Sequence, residues 1–265
     1  MASARDRIFD VVVPVAFLAA YMGLGIALIK MGVNSVVATL ATDGMVIVAS
    51  LVYVHRRPIR LRGDGRSVSH ARIGYALAIL LLFVWLFGQV TAVWVYQATG
   101  DATYTRYEST ISGGNDAVLA CLSALLTVIV GPIAEEGLMR GVVFSTWSRL
   151  NPWVAIVLSS VVFALCHGTV VHFIPTFLCG MLMALAYATS GRIWVPMVMH
   201  VCYNLGAVVF SGVGVADVFF LPGVFGLVDV ALVVWMLFEF GHVLACGHSV
   251  PSVSVEVSSD GEKTA

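Results

Sequence analysis

The stretch from Leu150 to Gly191 contains no Asp, Glu, Lys or Arg, and Arg149 and Arg192 stand immediately outside it. A water-facing chain does not stay uncharged over such a length. One bilayer crossing takes about 20 mainly apolar residues as a helix, so this stretch is long enough for two. The polar string Cys166-His167-Gly168-Thr169, followed by Pro175, predicts a break between the two crossings. Backbone groups in hydrocarbon have no water to bond, so these segments must close their hydrogen bonds within themselves.

The rest of the chain agrees. Of its 265 residues, 60% are hydrophobic and 11% charged, with a mean hydropathy of +0.97. A soluble domain carries about 25% charged residues, so a soluble enzyme is excluded. Disordered chains and nucleic-acid binders need high net charge or a basic face. Here 14 basic residues nearly balance 15 acidic ones, which rules out a nucleic-acid partner. The five cysteines are odd in number, sit in apolar surroundings and form no CxxC pair, which argues against a disulfide scaffold or a zinc ribbon.

Further apolar runs cover Ile8–Ile29, Val33–Val54, Ile73–Tyr96, Val118–Ala134, Ile193–Ala216 and Phe219–Leu244. With the two crossings in Leu150–Gly191 they predict an all-α, polytopic transmembrane bundle of about eight helices. Residues 1–247 then form one transmembrane domain, with 248–265 a disordered cytoplasmic tail. The apolar run after Arg7 is too long for the core of a signal peptide, so the first helix is expected to be retained. Arg5 and Arg7 precede that helix, and Arg56, Arg57, Arg60, Arg62, Arg66 and Arg72 follow the second. Basic residues favour the cytoplasmic side, which places both termini there, in a plasma membrane. The Tyr96–Asn115 loop would face outside.

Polar groups inside apolar helices cost about 2.5–3.5 kcal/mol per charge at a helix centre, so each needs a reason. In Gly131-Pro-Ile-Ala-Glu135-Glu136-Gly-Leu-Met-Arg140, Glu136 and Arg140 are four apart and can pair on one helix face. Glu135 points about 100° away and can face a cavity as a base. Seen alone, the string fits a solvated ion pair at a helix end equally well. Phe163-Ala-Leu-Cys-His167 places an imidazole after an apolar run, where packing histidines are common. His172 has the stronger claim to that packing role. His200-Val-Cys-Tyr-Asn204 aligns an imidazole with an amide on one helix face; both can donate to a developing oxyanion. Polar helix–helix contacts use the same residue types.

In this order, EE-x-x-x-R, F-x-x-x-H and H-x-x-x-N on successive membrane helices resemble the CPBP family of intramembrane proteases. That family includes the type II CAAX prenyl endopeptidases, bacteriocin-processing proteins and lysostaphin-resistance-protein-A-like proteins. The resemblance covers about Val118–Ser211, within a motif-bearing core of about residues 116–211, and fills every motif position. Met139 stands where the family commonly has Phe before the arginine, a conservative apolar change. It implies an endopeptidase in which Glu135 and His167 activate a water while His200 and Asn204 hold the oxyanion. Glu136, Arg140 and Phe163 would support them. No histidine is followed by glutamate, so HExxH is absent, and no GxGD string occurs.

Two mechanisms stay open. Glu135 acts as a metal-free base, which is the favoured reading, or Glu135, His167 and His200 ligate a divalent metal such as zinc. The substrate is a membrane-associated protein or peptide, taken in CAAX-type or leader-peptide processing; the oligomeric state is not legible. A different class of protein, a non-catalytic immunity or scaffold factor or a transporter, would use Asp43, Asp229 and Glu239 as a pathway or as packing pairs. No inverted repeat supports a transporter.

Overall fold

The computed structural model describes residues 4–56, 116–149, 151–168 and 170–211. Within them the chain is helical and contains no strand. The helices are α1 (Ala4–Lys30), α2 (Ser35–Arg56), α3 (Ala117–Trp147), α4 (Pro152–Cys166), α5 (Val170–Ser190) and α6 (Trp194–Ser211). Three of these are long and apolar enough to cross a bilayer: α1 from Ile8, α2, and α3. Helix α4 and the Thr176–Ala188 part of α5 are shorter apolar helices. The expected spans Ile73–Tyr96 and Phe219–Leu244, the second-to-third loop, Asp229, Glu239 and the tail lie outside the described residues.

Burial is inverted relative to a soluble protein. Large apolar side chains such as Ile8, Val12, Val48, Leu51 and Leu165 point outward, while Asp10, Asp43, Glu136, Arg140 and His200 are buried. A bilayer solvates the first group, and only protein partners can satisfy the second. The chain is an integral membrane helix bundle.

Helix ends follow local chemistry. Asp116 caps α3, its carboxylate accepting from the amides of Val118 and Leu119 at 2.9 and 3.2 Å. Asn151 caps α4 in the same way, and Pro152 occupies its first turn. Gly168, at φ 70°, reverses the chain after α4. Few other residues adopt that conformation, and it leaves His167 as the last residue before the turn. The break between these two apolar helices therefore falls at His167-Gly168, as the polar string predicts. Pro175 does not contribute to it, because it lies inside α5. Membrane helices tolerate proline where neighbouring groups satisfy the freed carbonyl, and α1 likewise contains Pro14.

Helix α3 is the axis of the bundle. It runs unbroken for 31 residues, well past the Val118–Ala134 run, and so carries Glu135 and Glu136 in its interior. At about 1.5 Å per residue, Glu135 lies roughly 27 Å from one end and 18 Å from the other. Two stretches of α3, Leu126–Val130 and Gly137–Phe144, are π-helical. In the first, the Gly131 amide donates back to the Leu126 carbonyl. The next donor in that register would be the amide of residue 132, aimed at the Thr127 carbonyl. Pro132 has no N–H, so the Thr127 carbonyl is released from the helix.

Helices α4 and α5 form a tight hairpin. Gly180 permits it: a β-carbon there would lie 3.2 Å from the Ser160 Cα and from the Phe163 ring. The core beneath them joins Phe144, Ile156, Ala184 and Tyr187.

Candidate active site

The centre of the site is a buried ion pair. Arg140 Nη1 donates to Glu136 Oε1 at 3.0 Å, and neither side chain has any exposure. The pairing expected from their spacing is present. Arg140 Nη2 also donates to the Gly180 carbonyl at 2.6 Å, tying α3 to the hairpin. The guanidinium lies 5.2 Å from the centroid of the Phe163 ring. Two charges withdrawn from water this completely hold only with further hydrogen bonds.

One such bond comes from α6. His200 Nδ1 lies 3.1 Å from Glu136 Oε1, the oxygen that Arg140 already binds. A carboxylate so paired can only accept, so Nδ1 carries the proton. His200 Nε2 is then turned toward Glu135, 3.8 Å from its Oε2. The two neighbouring acids are unlike: Glu135 keeps 30% of its side chain accessible, Glu136 none.

His167 reaches the same region from the end of α4. Its Nδ1 lies 2.9 Å from the Phe163 carbonyl, which can only accept, so Nδ1 donates and Nε2 is left bare. Phe163 is the hub. Its ring takes His167 edge-on at 4.8 Å and His200 at 5.7 Å between centroids.

Asn204 lies one turn beyond His200 on α6. Its Nδ2 donates 2.8 Å to the Thr127 carbonyl, the group Pro132 leaves without a helical donor. The amide has a second N–H, which this bond does not use.

The structure thus brings Glu136, Arg140, Phe163, His167, His200 and Glu135 around one ring and one ion pair, with Asn204 anchored to α3 beside them. Sequence spacing missed three contacts: His200 with Glu136, Arg140 with the Gly180 carbonyl, and Asn204 with Thr127. Asp43 also approaches the site, with Tyr21 donating 2.9 Å to its Oδ1. A lone acid in an apolar run was the only signal for it. The side chain of His172 lies outside the described residues.

Both imidazoles present an unprotonated-type Nε2, the donor chemistry a metal would need. Among the described residues, however, no three His, Cys, Asp or Glu side chains are arranged to hold a metal ion. Glu135, His167 and His200 do not form a ligand set as they stand, and no step below passes through a metal.

Residues 117–206 match the family model described as type II CAAX prenyl endopeptidase Rce1-like. The chain is 33% identical over 91 residues to "Putative membrane peptidase YdiL" of Bacillus subtilis (strain 168), covering 34% of this chain and 37% of that protein. It is also 33% identical over 91 residues to "Membrane-embedded CAAX protease MroQ" of Staphylococcus aureus (strain USA300), covering 31% of this chain and 36% of that one. The chain therefore spans little more than a third of the length of these relatives. No solved structure matches it significantly. The matched segment carries all three motifs, and over that segment the chain is similar to this family of membrane proteases.

Proposed function

We propose that the protein is an intramembrane endopeptidase that hydrolyses a peptide bond of a membrane-associated protein or peptide. The observation that carries this reading is the division of labour between the adjacent acids. Glu136 is consumed by Arg140 and His200, whereas Glu135 stays accessible beside the His200 Nε2.

In the proposed cycle a water lies between the Glu135 carboxylate and the bare Nε2 of His167. Glu135 takes one proton as the water oxygen bonds to the substrate carbonyl carbon. The carbonyl oxygen becomes an oxyanion, held by the remaining Asn204 N–H and by His200. His200 can donate from Nε2 only when doubly protonated, a form in which Glu135 and Glu136 flank it with two carboxylates. As the C–N bond breaks, the proton on Glu135 passes to the departing amine nitrogen. Fixed donors in a water-poor site are worth more than in water, because they need no reorganisation.

The substrate is proposed to be a CAAX-type or leader-type segment, cleaved near the cytoplasmic face of the plasma membrane, with both termini of the chain cytoplasmic. The test uses purified protein in lipid nanodiscs and two internally quenched peptides. One ends in a farnesylated CAAX sequence, and the other has the same sequence without the lipid. Hydrolysis of either, abolished in Glu135→Gln, supports the reading, and the ratio of the two rates tells whether the lipid is recognised. Hydrolysis of neither contradicts the CAAX-type reading of the substrate.

A further inference from the structure

Asp43 is a buried acid in the membrane region that the proposed cycle does not use. It lies on α2, outside the segment 117–206 that matches the family, and is 1% exposed. A buried acid that served only packing would be expected to face a basic partner. Asp43 instead accepts from a neutral phenol, Tyr21 of α1, bonded to Oδ1 at 2.9 Å.

The second oxygen points at the site. A β-carbon built on Gly131 would stand 3.8 Å from Asp43 Oδ2 and 3.9 Å from Glu135 Oε1. The two carboxylates therefore flank the same point of the α3 backbone. Residue 131 itself puts no side chain between them. A side chain could not be added cheaply, since that β-carbon would also lie 2.9 Å from the Leu126 carbonyl oxygen. Glu135 is thus held between two unlike neighbours, with Asp43 on the side of Oε1 and the His200 Nε2 3.8 Å from Oε2.

We infer that Asp43, pinned by Tyr21, is a positioning residue for Glu135, facing it across Gly131 and directing its carboxylate toward His200. The physical agent is like-charge exclusion, which grows as water is removed. Tyr21 matters because it stops Asp43 from turning away. The N-terminal hairpin α1–α2 would then be a working part of the site and not only a lipid-facing wall. This inference rests on the reading of Glu135 as the catalytic base.

The test measures hydrolysis of the same farnesylated quenched peptide by full-length protein in nanodiscs. Asp43→Asn keeps the shape and removes the charge. It should lower kcat about tenfold or more while KM stays within about twofold, because orientation is lost and binding is not. Tyr21→Phe should shift kcat in the same direction by a smaller factor, and it carries the test if Asp43→Asn does not fold. The discriminating variant is the double mutant with Glu135→Gln. A residue that acts through Glu135 has nothing left to position, so the double mutant should match Glu135→Gln alone. Wild-type kcat in both Asp43→Asn and Tyr21→Phe would overturn the inference. So would an equal further loss in the Glu135→Gln background. Full hydrolysis by Glu135→Gln alone would instead contradict the catalytic reading beneath it.

Discussion

Asn204 of α6 donates its side-chain amide to the backbone carbonyl of Thr127 in α3, 2.8 Å away. The bond exists because a π-turn carries the Gly131 amide to Leu126 and Pro132 offers no amide for Thr127. A break in one helix thereby positions a polar side chain of another. Such π-turns are frequent at functional sites.

That relationship can be tested by a double-mutant cycle. Asn204→Ala leaves a carbonyl unpaired away from water, which should cost about 1–3 kcal/mol. Pro132→Ala restores an N–H that can take the Thr127 carbonyl back into the helix. The double mutant should therefore be less destabilised than the sum of the two single mutants. Thermal melts in nanodiscs measure this. Strict additivity would show that Asn204 and Pro132 are independent.

Glu136 and Arg140 should act first through folding. Removing either partner of a fully buried pair strands the other charge, typically at about 3–5 kcal/mol. Arg140→Ala also frees the Gly180 carbonyl, and Glu136→Ala also frees His200. Both variants should show lower purified amounts and lower melting temperatures. Normal stability with abolished hydrolysis in both would move the pair into the chemistry itself.

Much of this was legible in the sequence, but unevenly. The charge-free run gave the α4–α5 hairpin, and the polar string around His167-Gly168 gave the break between its helices, because such reversals depend on residues close together in the chain. The Glu136–Arg140 pair was legible for the same reason. Pro175 misled, since a proline's effect depends on which neighbours satisfy the carbonyl it frees. The contacts of Asn204 with Thr127 and of Asp43 with Tyr21 were not legible. The first needs the hydrogen-bond register of α3, and the second needs the packing of α1 on α2, which no spacing encodes.

Gly180→Ala tests the hairpin contact. The new methyl would press on the Phe163 ring and the Ser160 backbone, both at 3.2 Å. Overpacking of this kind costs about 1–3 kcal/mol, against up to about 1 kcal/mol of gained helix propensity. A net loss of stability is expected. Hydrolysis should fall further than stability explains, because Phe163 carries both imidazoles. A wild-type rate in folded Gly180→Ala would show that the ring does not position them.

Chelation separates the two mechanisms that the residue types allow. Because the described donors form no three-ligand set, hydrolysis should stay within about twofold after exhaustive chelation, and elemental analysis should find no stoichiometric metal. Activity lost on chelation and restored by zinc would contradict the metal-free cycle.

The most direct measurement is the hydrolysis rate of Glu135→Gln on whichever quenched peptide the wild type cleaves. Glutamine keeps the size and hydrogen-bonding shape of the side chain but cannot take the water's proton. The rate should fall about 10²–10⁴-fold, with melting temperature and purified amount unchanged, since Glu135 is the member of the acid pair that no buried arginine holds. A Glu135→Gln protein that cleaves at the wild-type rate would contradict the claim that Glu135 activates the water.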